Sequence, residues 1–313
     1  MISERIAELK QQLAGGVSPA MATPLVPETY TVNPAGVLPL ADFLIDAGVK
    51  GLFVGGTTGE GTQLDADQRQ ALHEAAVAAA AGRVPVLLHV GAQRTDVAVA
   101  LARHAATLQP AAIVAMTPTF YTLSDDALAR YYHTIAEAAP DIPLFLYDIP
   151  QFAVNGIGPA LLARLARELP SLAGMKTSRV DIQFVRQLID AMPRDRILLA
   201  GNESAALGSL ALGADGLISG LSTAIPEPFV ALTRAAAAGR LAEARDWQRC
   251  INQLLALLAG ARLGGIKAIL NQRDIEVGPP TPLLDATDAL LWPQAADILG
   301  KNKNPQISQI TQI

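Results

Sequence analysis

The sequence predicts an α/β protein, a (β/α)8 TIM barrel with a C-terminal helical extension. Three observations predict it. Short apolar runs alternate with helix-length amphipathic stretches over about 200 residues, the pattern of parallel strands joined by helical crossovers. No Gly-rich phosphate turn follows the first run, as an open doubly wound sheet would require. After Pro226-Glu227-Pro228 the alternation stops, and Phe229 to Gly260 reads as consecutive helices with no strand between them.

The elements follow in order. An early strand is expected near Ala20-Met21-Ala22, and Gly51-Leu52-Phe53-Val54 is the second. Asp65 to Ala81 is alanine-rich and helical, and Gly82 ends it. Val84 to His89 is a strand. Val97, Leu101 and Leu108 then recur at helical spacing up to Pro110. Ala111 to Met116 is a strand. Ser124 starts a helix with Asp125 and Asp126 in its first turn, where carboxylates meet free N–H groups. Leu144 to Tyr147 is a strand halted by Pro150, and Leu161 to Leu169 is helical. Leu172 to Lys176 is a strand. Val185, Leu188, Ile189 and Met192 make one helix face. Ile197 to Ala200 and Gly216 to Ser219 are the last strands. Beyond them, Leu254, Leu255, Leu257 and Leu258 give a helix an apolar face, and Ile266 to Asn271 is another helix. Pro279, Pro280 and Pro282 stiffen a linker. We expect a barrel over 1–225, a helical region over 226–300 and a loose polar tail over 301–313.

Half of the 313 residues are apolar, and the net charge is −5. The charge is mild and mixed, with no basic stripe, so no nucleic-acid partner is expected. No apolar run reaches the roughly 18 residues that span a bilayer, so no membrane partner is expected. The first residues lack a signal peptide's apolar stretch, and Cys250 is the single cysteine, which together favour a cytoplasmic location. Cys250 lies in a helical stretch and reads as a small buried hydrophobe. His73, His104 and His133 fall within helices without metal-ligand spacing, so no metal is expected.

Chemistry concentrates at strand ends. Lys176 is one of six lysines and the only one that closes a strand-like run at its C-terminal side. Removal from water disfavours its ammonium and favours the neutral amine, the form that attacks carbonyls. The turn Gly55-Gly56-Thr57-Thr58-Gly59-Glu60-Gly61 follows the second strand. Its glycines let a backbone approach a small anion, and its N–H groups and two hydroxyls can hold a carboxylate or phosphate. Tyr147 ends the fifth strand with a phenol able to move a proton.

The order Gly-Thr-Thr-Gly-Glu, Tyr147-Asp148-Ile149-Pro150, Gly174-Met175-Lys176 and Gly213-Ala214-Asp215-Gly216-Leu217-Ile218-Ser219 resembles the dihydrodipicolinate synthase/N-acetylneuraminate lyase family, roughly from Pro19 to Ile298. The resemblance implies a (β/α)8 barrel, a homotetramer built as a dimer of dimers, and no metal or organic cofactor. It implies Lys176 as the Schiff-base lysine and Tyr147 as the residue that moves protons. It implies Thr57 and Thr58 as the pair that binds the 2-oxo acid carboxylate, with one of them bonded to the tyrosine. Gly56 belongs to the same cradle. Ile218 lies in the segment whose backbone carbonyl faces a bound pyruvate unit.

Departures narrow the substrate. The family commonly carries Pro-Tyr-Tyr after strand four, and its second tyrosine crosses a subunit interface. Here the segment is Pro118-Thr119-Phe120-Tyr121, so either Tyr121 substitutes or the relay is shorter. Dihydrodipicolinate synthases place a carboxylate-binding arginine where this chain has Phe152. His89-Val90-Gly91-Ala92 looks more like the sugar-acid lyases, although a structural histidine would look the same. Glu203 or Ser204, after strand seven, stands where such lyases bind hydroxyls, or caps a helix there. The expected function is a class I aldolase that joins or separates pyruvate and an aldehyde. Its substrate would be a 2-keto-3-deoxy sugar acid or 4-hydroxy-2-oxo acid. The alternatives are a dehydratase of 2-keto-3-deoxy acids, dihydrodipicolinate synthase, or a weak homologue that only binds a 2-oxo acid.

Overall fold

In the computed structural model, which describes residues 1–302, the chain begins with helix α1 (Ile2–Leu13). The sequence reading did not anticipate it. Ile6, Leu9 and Leu13 of α1 join the core cluster formed by the inward residues of the barrel strands. Arg5 donates to the carbonyls of Pro110 and Asp141, and Lys10 to those of Arg194 and Arg196, all just before strands or helix ends on that side. The helix therefore stoppers the N-terminal mouth of the barrel.

Strand β1 (Val17–Pro19), helix α2 (Val37–Asp46), β2 (Leu52–Val54), α3 (Ala66–Ala80) and β3 (Val86–His89) follow. Next come α4 (Thr95–Thr107), β4 (Ala112–Met116), α5 (Asp125–Ala138) and β5 (Leu144–Asp148). A short α6 (Pro150–Ala153) and α7 (Pro159–Glu168) lead to β6 (Leu172–Thr177), α8 (Ile182–Ala191) and β7 (Ile197–Ala200). The remainder is α9 (Ala206–Leu212), β8 (Gly216–Ser219), α10 (Glu227–Ala237), α11 (Leu241–Leu257), α12 (Arg262–Asn271) and α13 (Leu291–Lys301).

The eight strands form one parallel sheet in the order β1-β8-β7-β6-β5-β4-β3-β2. The bridge between Ala20 and Phe53, with Met21 N–H donating to the Phe53 carbonyl at 2.9 Å, brings the sheet round on itself. The structure is the expected (β/α)8 barrel with C-terminal helices. Asp65 and Ser124 cap α3 and α5 by accepting from Gln68 and Ala127 N–H groups.

Two differences have physical causes. The first strand lies at Val17–Pro19 rather than Ala20-Met21-Ala22, because it pairs with Leu217 to Ser219 of β8. Residues 16–25 are buried without interruption, so apolar pattern could not place the ladder within them. Pro150 ends β5 as expected but also opens α6, as proline does at a first helical position.

Helix α10 follows β8 as each earlier helix follows its strand, yet it packs most extensively on α11. One hydrophobic cluster runs from the barrel helices through Trp247, Ile251, Ile269 and Leu299. We therefore propose the division at residues 225/226 as a topological one that does not interrupt the core. The expected tail over 301–313 lies, from residue 303 on, outside the described residues. Cys250 is fully buried in α11, and burial pushes its thiol up to about 12.

Candidate active site

Residues at the C-terminal ends of neighbouring parallel strands share one mouth, and register decides which of them meet. Tyr147 on β5 stands opposite Lys176 on β6. The register shifts between the pairs Leu144–Leu172 and Phe145–Gly174, which places one extra residue in β6. That shift sets Lys176 on the inner face beside Tyr147.

Lys176 is 4% exposed. Its Nζ lies 4.1 Å from the centre of the Tyr147 ring and 4.4 Å from that of Phe53. Burial holds the ammonium below its ordinary range, and the nearness of Tyr147 and Glu203 offsets only part of that. The two ring faces favour the cation modestly, but the loss of water dominates. Gly201 at the end of β7 keeps the space open. A side-chain carbon there would stand 3.2 Å from Lys176 Cε and 2.5 Å from Ser178 Oγ.

Tyr147 Oη and Thr57 Oγ1 are 3.1 Å apart, so Thr57 is the threonine that meets the phenol. Gly56 rests on the Phe53 ring, and a carbon added to it would come within 2.4 Å of that ring. Thr58 faces the end of β8, where a carbon on Gly220 would meet its Oγ1 at 2.5 Å. The structure thus gathers Lys176, Tyr147, Thr57, Thr58, Gly56 and the Ile218–Gly220 segment around one opening.

Glu203 and Ser204 lie on the loop after β7 but differ in availability. Glu203 is buried, and its Oε1 accepts from Ser219 Oγ and Leu221 N–H, each at 2.8 Å. Its Oε2 is paired with Arg262 at the start of α12. The carboxylate expected to accept substrate hydroxyls is therefore already engaged by the protein. Ser204 is exposed and donates to Asn202 Oδ1 at 2.8 Å. Phe120 and Tyr121 are 76% and 69% exposed, and their rings meet edge to face 5.0 Å apart. Among the described residues, Tyr121 makes no side-chain hydrogen bond to the mouth.

Sequence reading missed the groups that hold this arrangement. Asp148 is fully buried and takes four hydrogen bonds. Its Oδ1 accepts from Ile157 N–H at 2.8 Å and Arg179 Nη2 at 3.2 Å; its Oδ2 accepts from Thr177 Oγ1 at 2.9 Å and Arg179 Nε at 2.7 Å. This carboxylate ties the end of β5 to the end of β6, next to both Tyr147 and Lys176. Asp148→Asn would turn an N–H group toward these donors. We expect it to cost about 3–5 kcal/mol of stability, as breaking a buried pair does. Urea unfolding with an unchanged m-value is the measurement.

His89 is likewise buried under the mouth, edge-on to Phe53 and Tyr147 at 6.2 Å. Arg69, with no carboxylate partner among the described residues, donates to the carbonyls of His89 and Gly91 at 2.6 and 2.9 Å. His89 Nε2 accepts from Met116 N–H at 3.3 Å. Burial pushes His89 well below its ordinary range, and the Arg69 cation adds to this. The structure thus gives His89 a packing role as a neutral ring.

His73 on α3 is fully buried, and neither ring nitrogen completes a hydrogen bond. Burial and then Arg69 depress it from 6.5 to about 3. Between those values the unfolded chain binds the extra proton and the folded one does not. His73 therefore withdraws about 1.4 kcal/mol of stability for each pH unit of fall through that window. His73→Leu removes this proton without breaking a hydrogen bond. We expect a shallower loss of stability between pH 6.5 and 4, read from urea midpoints across that range.

The comparisons with known proteins bear on this geometry. The model of the dihydrodipicolinate synthetase family matches residues 13–291. The chain belongs to that family. A 4-hydroxy-tetrahydrodipicolinate synthase of Salinibacter ruber is 35% identical, over 74% of this chain and 76% of its own. A probable 2-dehydro-3-deoxy-D-pentonate aldolase of Escherichia coli is also 35% identical, over 73% of this chain and 77% of its own. A solved structure of the Ruminococcus gnavus sialic acid aldolase, in the form described as its catalytic lysine mutant, superposes with a TM-score of 0.89 at 28% identity, covering 93% of this chain and 97% of that one. As a dihydrodipicolinate synthetase family member the chain is a class I, pyruvate-dependent lyase. No single described helix is long and apolar enough to cross a membrane.

Proposed function

We propose that the chain is an aldolase of a 2-keto-3-deoxy sugar acid or a similar 4-hydroxy-2-oxo acid, with Lys176 as its Schiff-base lysine. The observation that carries this is the buried Lys176 amine over the Tyr147 ring, with the Tyr147 hydroxyl 3.1 Å from Thr57. In this reading Thr57, Thr58 and the Gly56 turn hold the substrate carboxylate, and the Ile218 carbonyl faces the pyruvate unit.

The neutral Lys176 nitrogen attacks C2 of the substrate. Tyr147 gives its proton to the C2 oxygen, which leaves as water, and a protonated imine remains on Nζ. The Tyr147 phenolate so formed takes the proton of the C4 hydroxyl. The C3–C4 bond breaks, its electron pair flows into the iminium to give an enamine, and the aldehyde departs. Tyr147 then returns that proton to C3, and water attacks C2 to release pyruvate and the free amine, its surplus proton going back to Tyr147 to restore the phenol. Thr57 keeps the phenol aligned throughout, which is the positioning that such relays need. The reaction as written calls on no metal and no organic cofactor.

Two observations favour sugar acids over aspartate semialdehyde. Phe152 offers no charge where the synthases carry an arginine, and the cation on the neighbouring loop, Arg179, is committed to Asp148. Ser204 is exposed on the rim and available to substrate hydroxyls. Glu203, held by Arg262, orders that rim. The exposed Phe120, Tyr121, Phe152, Val154 and Val180 support the reading that a second copy covers this face, within a homotetramer built as a dimer of dimers. A cytoplasmic location suits the family and the single buried cysteine.

A panel of 2-keto-3-deoxy acids, scored for pyruvate release, tests the proposal. Consumption of a panel member without pyruvate would show a dehydratase instead. Turnover only with aspartate semialdehyde would show a synthase.

A further inference from the structure

The turn that carries Thr57 and Thr58 is itself held from outside the barrel. Glu60 is the only charged residue of the turn Gly55–Gly61, and it is 2% exposed. Its backbone is left-handed, at φ +56°, a conformation that a side chain other than glycine, asparagine or aspartate seldom adopts without support. The turn folds back over the threonines, with Glu60 N–H donating to the Thr57 carbonyl and Gly61 N–H to that of Gly56, each at 3.1 Å. Thr23 Oγ1 donates to the Gly59 carbonyl at 2.5 Å.

The Glu60 side chain points away from the mouth into the helical extension. Its Oε1 lies 2.6 Å from Nζ of Lys267 on α12, which is 1% exposed. Its Oε2 accepts from Thr281 N–H at 2.6 Å. Lys267 also donates to the Pro279 carbonyl at 2.9 Å. Burial depresses the Lys267 cation, and Glu60 opposes that shift. An apolar pair would fill such a place without the cost of removing two charges from water. What the ion pair adds is direction: one carboxylate held by a cation and an amide has one orientation, and the residue that bears it has one backbone position.

We propose that Lys267 and Glu60 are positioning residues for the substrate carboxylate: their buried ion pair lets the C-terminal helices hold the Thr57–Thr58 turn in register with Lys176. This rests on the reading that the two threonines bind that carboxylate. Neither residue touches substrate. Their loss would shift the cradle, Thr57 with it, while leaving the Lys176 amine in place, so the effect falls first on capture of pyruvate, which trapping on Lys176 reads.

The test is borohydride trapping of pyruvate on Lys176, followed by mass spectrometry across pyruvate concentrations. The variants are Lys267→Met, Glu60→Gln, Lys267→Arg and Thr58→Val. Lys267→Met and Glu60→Gln are expected to raise the half-saturating pyruvate by about tenfold or more, with the rate at saturation within about threefold of the parent. Lys267→Arg, which keeps the charge, is expected to recover most of the loss. If Lys267→Met does not fold, Glu60→Gln, close in size and neutral, is read in its place. If Thr58→Val shifts half-saturation and the folded Lys267 or Glu60 variants do not, the ion pair is only structural and the proposal falls. It also falls if those variants lose the saturating rate at unchanged half-saturation. If Thr58→Val leaves half-saturation unchanged, the carboxylate reading itself fails, and the proposal with it.

Discussion

Lys176→Ala is expected to abolish the borohydride-trapped pyruvate adduct and to lower pyruvate release by about 10⁴-fold or more. No other described lysine can replace it. Lys10, Lys267 and Lys301 are paired with Asp215, Glu60 and Asp297, and Lys50 lies just before β2, on the side of the barrel opposite the mouth. The nucleophile is the neutral amine, and burial lowers its pKa from 10.5. Trapping in the parent should therefore rise with pH through that lowered pKa and level off before 10.5 is reached. The stability sign agrees. Between the folded pKa and 10.5 the unfolded chain holds the proton that the folded chain has lost, so stability rises with pH across that window. Lys176→Ala should lose both dependences. A variant that still forms the adduct would remove Lys176 from the mechanism.

Tyr147→Phe is expected to lower the turnover of a cleavable substrate by about 10²–10⁴-fold while the pyruvate adduct still forms. The ring keeps its edge-to-face contact with Phe53 at 5.8 Å and with His89 at 6.2 Å, so packing survives the change. Only the hydroxyl and its contact with Thr57 are lost. The discriminating measurement is the ratio of cleavage to trapping in one preparation. Turnover within about threefold of the parent would show that water, not the phenol, moves the protons. Phe120 sharpens this prediction. A second tyrosine is missing at that position, so less of the relay remains to cover the loss.

How much was legible depended on distance along the chain. Thr57, Tyr147 and Lys176 each end or directly follow an apolar run, and each run is visible within a few residues. The helix starts at Asp65 and Ser124 were equally local. Helix α1 was not foreseen. Its apolar residues, Ile6, Leu9 and Leu13, are few, and only the barrel floor explains why they are buried. The Asp148–Arg179 pair spans 31 positions and the contact of Arg69 with His89 spans 20, with nothing in either segment that names its partner. Glu203 shows the converse. Its position suggested a free acceptor, and only the fold revealed Ser219, Leu221 and Arg262 around it.

By itself the sequence determined the alternation of strand and helix, the barrel and the residue types at its mouth. These follow from local periodicity, from capping and from the cost of placing an amine at the end of an apolar strand. The tertiary structure decided which side of β6 Lys176 occupies, that Thr57 is the threonine bonded to Tyr147, and that Glu60 answers to Lys267 across more than two hundred residues. Those facts depend on strand register and on contacts between distant segments, which exist only once the barrel has closed and the helices have packed onto it.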